Sequence, residues 1–138
     1  MTPEIRQIVS LDAEQLLQLR ELYAVANWIS PDDLAEFLAP AIAGSAVAAG
    51  AFAGKDLVGF ARALSDGCSD AYIQDVVVSP EFRGQGIGSR LIRFLESELR
   101  ARGVDWIALV GEPGTEKFYS GLGLKAQAGY TLWKLQDS

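Results

Sequence analysis

The spacing of hydrophobic positions divides the chain into alternating strand-like and helix-like segments. Short apolar runs bounded by turn residues predict strands over residues 5–9, 46–53, 57–64, 71–78, 106–110 and 130–135, the last paired with residues 124–126. The run 71–78 is β-branched and nearly continuous, which predicts a central strand that is buried on both faces. Residues 54–56, Gly-Lys-Asp, predict a hairpin turn between two of these strands.

The first two helices are predicted from their start signals. One begins after Asp12, with Gln15 three residues on as its capping-box partner. The other begins at Ser30 with Pro31 in the first helical position, carries Leu34, Phe37 and Leu38 on one face, and ends within residues 40–44. Both helices therefore precede the main block of strands.

The third helix follows Pro80, where apolar residues recur at helical spacing, and it ends at residues 102–103. The recurring residues are Ile87, Leu91, Ile92, Leu95 and Leu99. A short fourth helix is predicted over residues 115–122, and residues 73–110 predict a strand–helix–strand crossover. We therefore predict one domain spanning residues 1–138, of mixed α/β class, with a mostly antiparallel central sheet, one βαβ unit and flanking helices.

Composition limits the chemistry. The chain has 138 residues, a formal net charge of −6, one cysteine and no histidine. Catalysis by Ser-His-Asp or Cys-His groups and zinc held by histidine are excluded, and Cys68 alone can form neither an internal disulfide nor a cysteine-cluster metal site. The acidic balance argues against nucleic acid as a partner and slightly favours a cationic one.

The hydrophobic pattern predicts neither a signal peptide nor a membrane-spanning segment. The N-terminal residues lack a basic region followed by an apolar run, so we expect no signal peptide and a cytoplasmic location. The uncharged stretch 38–54 is mostly Ala and Gly and is interrupted by Pro40, Gly44 and Gly50, so it predicts a helix end and a strand rather than a membrane segment.

A glycine-rich segment between the buried strand and the third helix is the strongest chemical signal. Its residues are Arg83, Gly84, Gln85, Gly86, Ile87, Gly88 and Ser89. Glycines at a helix start leave backbone N–H groups uncovered, and the helix dipole and an arginine add positive charge, so a pyrophosphate is the expected ligand. A P-loop would need a lysine that is absent here, and the glycine spacing differs from the dinucleotide-binding fingerprint.

This segment, preceded by Val78-Ser79-Pro80, resembles the Arg/Gln-x-x-Gly-x-Gly/Ala signature of the GNAT superfamily of acetyl-CoA-dependent N-acetyltransferases. Residues 116–124 are similar to the family's segment with a Phe-Tyr pair on a short helix before a Leu-Gly-Phe turn, with Leu124 in place of the last Phe. The resemblance covers the order of elements from about residue 46 to residue 135, and it is specific for the cofactor rather than for the acceptor.

The resemblance implies acetyl-CoA as cosubstrate and an acetyl transfer to a primary amine of a small molecule or a peptide, by direct attack in a ternary complex. The backbone of residues 83–89 would hold the pyrophosphate, and Val76, Val77 and Val78 would hydrogen-bond the pantetheine arm. Tyr119 would act as general acid toward the departing thiolate. The alternative is an acyl-CoA-binding regulatory protein without turnover. A homodimer is a further expectation from the family.

The acceptor amine must lose a proton, and without histidine a carboxylate or a water held by one must accept it. Asp75 lies on the central strand before the glycine-rich segment, and Glu112 follows the next strand. Either one is a candidate base or anchor for a cationic amine, and Glu116 is a third candidate base; the alternative for Asp75 is a hydrogen-bonded buried carboxylate. Trp28 is a candidate acceptor-binding residue on the turn after the first helix, or a core residue.

Overall fold

A computed structural model describes residues 2–30, 32–33 and 36–136. The strands are β1 (Glu4–Gln7), β2 (Val47–Ala53), β3 (Asp56–Ser65), β4 (Asp70–Val78) and β5 (Trp106–Leu109). The helices are α1 (Ala13–Val25), α2 (Leu38–Ala43), α3 (Ile87–Ala101) and α4 (Glu116–Gly121), with a short 3₁₀ helix at Pro80–Phe82. The chain divides into two compact units, Met1–Ala108 and Leu109–Ser138. That the whole chain forms one domain stays a prediction.

The described strands form one sheet in the order β1-β2-β3-β4-β5. The pairs β1/β2, β2/β3 and β3/β4 are antiparallel. Ala53 pairs with Asp56, so a two-residue loop joins β2 to β3 and confirms the predicted hairpin. Strands β4 and β5 are neighbours joined through α3, as the predicted strand–helix–strand unit requires. The mixed α/β class is therefore confirmed.

Helices cover both faces of the sheet, as two consecutive residues of β3 demonstrate. Phe60 is fully buried in a cluster with residues of α1 and α2, among them Leu19, Leu22, Leu38 and Ile42. Gly59 points to the opposite face, where an added Cβ would lie 3.2 Å from Ile87 Cγ2 and 3.3 Å from Leu91 Cδ1. Helix α3 therefore packs closely against the backbone of β3, and a methyl group at Gly59 would require its neighbours to shift by a few tenths of an ångström.

The local signals for α1 and α3 are confirmed. The Asp12 carboxylate accepts the backbone N–H of Gln15 at 2.8 Å, and the Gln15 side chain accepts the N–H of Asp12 at 3.2 Å, which completes the capping box. The predicted apolar stripe of α3 is buried along its whole length. Each signal depends on residues no more than four positions apart, so the sequence alone predicts it.

The second helix begins later than predicted. The Ser30 carbonyl accepts the N–H of Asp33 at 3.0 Å, and the Asp33 carboxylate accepts the N–H of Ser30 at 2.7 Å. The Ser30 hydroxyl also accepts the N–H of Asp32 at 3.3 Å, so Ser30 caps a local turn of the kind that Ser and Asp favour. Helix α2 begins only at Leu38 and ends before Gly44, within the predicted range. The predicted helix positions Pro31 and Leu34 lie outside the described residues.

The expectation that the central strand is buried on both faces is wrong for its first half. Burial alternates over Asp70–Ile73, and Tyr72 is 48% exposed. Its ring contacts Trp106 edge-on, with centroids 5.3 Å apart, and Trp106 is 46% exposed. The β-branched composition of this run predicted a strand correctly, but it did not report which face is covered.

The predicted last strand is also wrong. Residues 124–136 form no strand among the described residues. The side chains of Tyr130, Leu132, Trp133 and Leu135 are exposed, with Trp133 at 88%. No helix in the described part of the chain has the length and apolar character that a membrane span requires.

Candidate functional site

The glycine-rich segment forms the turn between the 3₁₀ helix and α3. Gly84 and Gly86 both have φ of +78°, a conformation that strains residues with a side chain. An added Cβ would meet no atom within 4 Å at either position, so the turn is open to solvent. Gly86 is the N-cap residue of α3 and supplies no side-chain cap. The first backbone N–H groups of α3 are therefore presented at an open surface, where a helix favours an anion.

The candidate cofactor residues differ in what they can offer. Ile87 is only 2% exposed, so its side chain belongs to the core and its backbone alone faces the turn. Gly88 and Ser89 are half-buried in the first turn of α3. Arg83 donates from Nε to the Val78 carbonyl at 3.2 Å, which folds its side chain back to the end of β4. A guanidinium thus lies beside the strand end that leads into the anion-binding turn.

Strand β4 contains a bulge at Asp75. Phe60 pairs with Val77 and Arg62 pairs with Gln74, so two residues of β4 face one residue of β3. Asp75 has φ of +58°, in the left-handed region. The bulge removes the regular ladder bonds at this point and reverses which face the following side chains occupy. The sequence run showed no sign of it, because aspartate tolerates this conformation without a glycine.

The Asp75 carboxylate is engaged by two side chains. Its Oδ2 accepts a hydrogen bond from Arg62 Nε at 2.7 Å and another from the Tyr23 hydroxyl at 2.7 Å. The Arg62 side chain is 16% exposed and that of Asp75 25% exposed. The arrangement is thus a partly buried ion pair with a phenol attached, and Asp75 is the hydrogen-bonded carboxylate that the alternative interpretation described. Neither a base nor an anchor role is tested by this geometry.

An aromatic cluster surrounds Tyr23 at the end of α1. Its ring lies 5.1 Å from that of Trp28, 6.0 Å from that of Phe37 and 6.2 Å from that of Phe60, between centroids. Burial raises the pKa of the Tyr23 hydroxyl well above its usual value, and the hydrogen bond to Asp75 raises it further. Tyr23 is therefore a permanent hydrogen-bond donor. Trp28 is half-buried at the edge of this cluster, and its predicted contact with an acceptor is untested.

In the second unit, Tyr119 lies on α4 and is half-buried. Its ring packs edge-on against Phe118, with centroids 4.9 Å apart. The loop before α4 approaches it closely, because a Cβ on Gly111 would lie 3.4 Å from Tyr119 Cδ2 and 3.0 Å from Thr115 Oγ1. Burial raises the pKa of Tyr119, and the negative charge of Glu112 adds to the rise. The phenol thus stays protonated at neutral pH.

Comparison with known families gives one decisive result. The model of the acetyltransferase (GNAT) family matches residues 6–124. The chain belongs to the GNAT acetyltransferase family. The match includes the anion-binding turn, the bulged strand and α4, so the predicted resemblance is confirmed.

Individual relatives agree with this membership. The uncharacterized N-acetyltransferase ycf52 of Gracilaria tenuistipitata var. liui is 44% identical over 69 residues, which are 50% of this chain and 38% of that protein. Serotonin N-acetyltransferase 2, chloroplastic, of Oryza sativa subsp. japonica is 46% identical over 66 residues, 48% of this chain and 33% of that protein. The chain thus spans well under half the length of these curated relatives.

Among solved structures, a GNAT family acetyltransferase of Streptococcus pneumoniae TIGR4 superposes with a TM-score of 0.78 at 24% identity. The superposition covers 98% of this chain and 99% of that one. At this identity the likeness concerns the fold, and it confirms that this chain has the GNAT fold.

The sequence of this GNAT chain predicts the glycine-rich turn before α3 but gives no role to Arg62. It is 13 residues before Asp75 in the chain, on the neighbouring strand. One signal was available, because Arg62 is a lone charged residue in the otherwise apolar run 57–64 and such a residue requires a partner when buried. The identity of that partner depended on strand register.

Proposed function

We propose that this GNAT chain is an acetyl-CoA-dependent N-acetyltransferase that acetylates a primary amine by direct attack in a ternary complex. The observation that carries the proposal is the open turn at Gly84 and Gly86, which ends in an α3 N-terminus without a side-chain cap. In a member of this family, such a turn fits the diphosphate of coenzyme A. Acetyl-CoA would supply an activated acyl group and a thiolate leaving group.

The residues present fit that cosubstrate. The backbone N–H groups of residues 83–89 would bind the diphosphate, and the positive end of the α3 dipole with the Arg83 guanidinium would stabilise its charge. The backbone of Val76, Val77 and Val78 would hydrogen-bond the pantetheine arm. A strand N–H of Val76 or Val77 is also the proposed group that polarises the thioester carbonyl.

Tyr119 is the proposed general acid. As the bond between the amine nitrogen and the acyl carbon forms, the carbon–sulfur bond breaks and the thiolate takes a proton from the phenol. A phenol is protonated at neutral pH, as a general acid must be, and the rise in the pKa of Tyr119 that burial and Glu112 cause leaves it so. The amine proton passes to a carboxylate or to water. Asp75 and Glu112 are the proposed candidates, and Trp28 with Asp75 would border the acceptor.

Release of free thiol from acetyl-CoA tests the proposal. The amine panel should include small cationic amines, a peptide with a free N-terminus and an arylalkylamine, since one relative is named a serotonin N-acetyltransferase. We expect turnover with at least one amine and a fall of about 100-fold in kcat for Tyr119→Phe, the low end for loss of a general acid. Tyr130→Phe is the matched control, because Tyr130 is 80% exposed.

The same assay separates the proposal from the alternative of a regulatory acyl-CoA-binding protein. Acetyl-CoA that protects the chain against thermal unfolding, without thiol release for any amine, would favour the regulatory function. A cytoplasmic location and a homodimer stay predictions. Light scattering after gel filtration tests the dimer, and imaging of the tagged protein in cells tests the location.

A further inference from the structure

The network around Asp75 connects three elements at the bulge of β4. Tyr23 reaches it from α1 and Arg62 from β3. Arg62 also donates to the Ser45 hydroxyl at 3.4 Å and to the Ala41 carbonyl at 3.5 Å, at the end of α2. The bulge is therefore tied by side chains to both helices on its face of the sheet.

The backbone at Asp75 depends on these contacts. A residue with a side chain in the left-handed region is strained, and it keeps this conformation only where its surroundings hold it. The two hydrogen bonds to Oδ2 fix the side chain and, with it, the direction of the backbone that enters Val76. Without the carboxylate, the backbone of the residues that follow the bulge would no longer be held in this conformation.

The same contacts would be disturbed if Asp75 accepted the amine proton. A proton on either carboxylate oxygen would remove the negative charge and leave the Arg62 guanidinium, only 16% exposed, without its counter-charge. The Tyr23 hydroxyl would lose its charged acceptor in the same step. No such penalty attends a carboxylate that stays ionised throughout the reaction.

We infer that Asp75 is a positioning residue, which is held between Arg62 and Tyr23 and fixes the β4 bulge so that the backbone of Val76 and Val77 is aligned for the acyl group. This inference rests on the proposed function. It assigns acceptance of the amine proton to Glu112 or to water, and it makes Arg62 and Tyr23 part of the positioning network.

Two variants of one residue test it. Asp75→Asn keeps the shape, an acceptor oxygen and tolerance of positive φ, whereas Asp75→Gly fits the backbone but removes every side-chain contact. We expect kcat to fall less than about 10-fold in Asp75→Asn and about 100-fold in Asp75→Gly, with KM for acetyl-CoA within about threefold of the native value in both. Tyr23→Phe should resemble Asp75→Asn.

The pH profile of kcat/KM gives the decisive readout. A positioning residue leaves the acidic limb of the profile in place in Asp75→Asn. If Asp75 accepts the proton, both variants lose about 100-fold or more and the acidic limb disappears, which overturns the inference. Asp105→Asn, at an exposed position, is the control for an Asp-to-Asn change and should match the native chain.

The role of the charge pair is tested in the same series. Arg62→Gln leaves Asp75 without its cation, so we expect kcat to fall about 10-fold or more, and addition of Asp75→Asn to that variant should recover part of the loss. Additive losses would overturn the network. Absence of turnover by the native chain with every amine would overturn the proposed function as well, whereas a lost acidic limb overturns only the inference.

Discussion

Placing a carboxylate or a carboxamide at Gly86 tests the anion-binding turn by charge alone. Asp and Asn have nearly the same size, and both tolerate positive φ better than other residues. A side chain at Gly86 enters open space, because no atom lies within 4 Å of an added Cβ. Gly86→Asp and Gly86→Asn therefore carry the same backbone strain, and only the first places a negative charge beside the N-terminus of α3.

The size of the effect follows from the exposure of the turn. Two unit charges about 4 Å apart repel by about 1 kcal/mol when water screens them fully, and a diphosphate with two charges roughly doubles this. A loss of about 2 kcal/mol weakens binding about 30-fold. Acetyl-CoA at 100 times its native Kd stabilises the native chain by about 2.7 kcal/mol, and at the same concentration it should stabilise Gly86→Asp by only about 0.9 kcal/mol.

Thermal unfolding with and without acetyl-CoA measures this difference. We expect clear protection of Gly86→Asn and much weaker protection of Gly86→Asp, with the gap narrowing as salt is added. Gly67→Asp is the control, since Gly67 has φ of +80° and open space at its Cβ but lies in the turn between β3 and β4. Equal protection of the Asp and Asn variants at Gly86 would show that the diphosphate binds elsewhere.

Two further predictions concern stability. Gly50→Ala should lower the free energy of unfolding by about 1–3 kcal/mol, because a Cβ there lies only 2.7–2.9 Å from side-chain atoms of Ile8, Phe52 and Leu57. Urea denaturation measures this change in free energy, and an unchanged midpoint would contradict such tight packing. Hydrogen bonds from Ser69 and from backbone N–H groups lower the pKa of Asp66 below its usual 3.8, so its carboxylate stabilises the fold above about pH 4, and this contribution is lost as pH falls further. The stability gap between the native chain and Asp66→Asn should therefore shrink from pH 5 to pH 2, and a constant gap would refute this linkage.

Local physics explains which parts of the fold were predicted. The capping box of α1, the apolar stripe of α3 and the two-residue hairpin loop each depend on residues a few positions apart. The predicted start of α2 was wrong because Ser30 and Asp33 serve equally well in a turn and in a helix cap. The sequence pattern does not distinguish these two structures.

The last strand failed for a different reason. Alternating apolar residues at 130–135 meet the local requirements of a strand, but a strand exists only when a neighbour supplies its hydrogen bonds. Among the described residues this segment forms no strand, and its large apolar side chains stay exposed. Periodicity therefore reports the capacity to form a strand, whereas pairing is decided by the rest of the chain.

By itself, the sequence determined the glycine-rich turn before α3 and the exclusion of histidine chemistry, because glycines next to a helix start and the residue inventory are properties of the chain alone. Only the tertiary structure decided which groups the Asp75 carboxylate contacts. Its two partners come from 13 and 52 residues away, and the bulge that turns it toward them is a matter of register between β3 and β4. A buried charge is compensated by those groups that packing brings within hydrogen-bond distance. The order of residues along the chain does not show which groups these are.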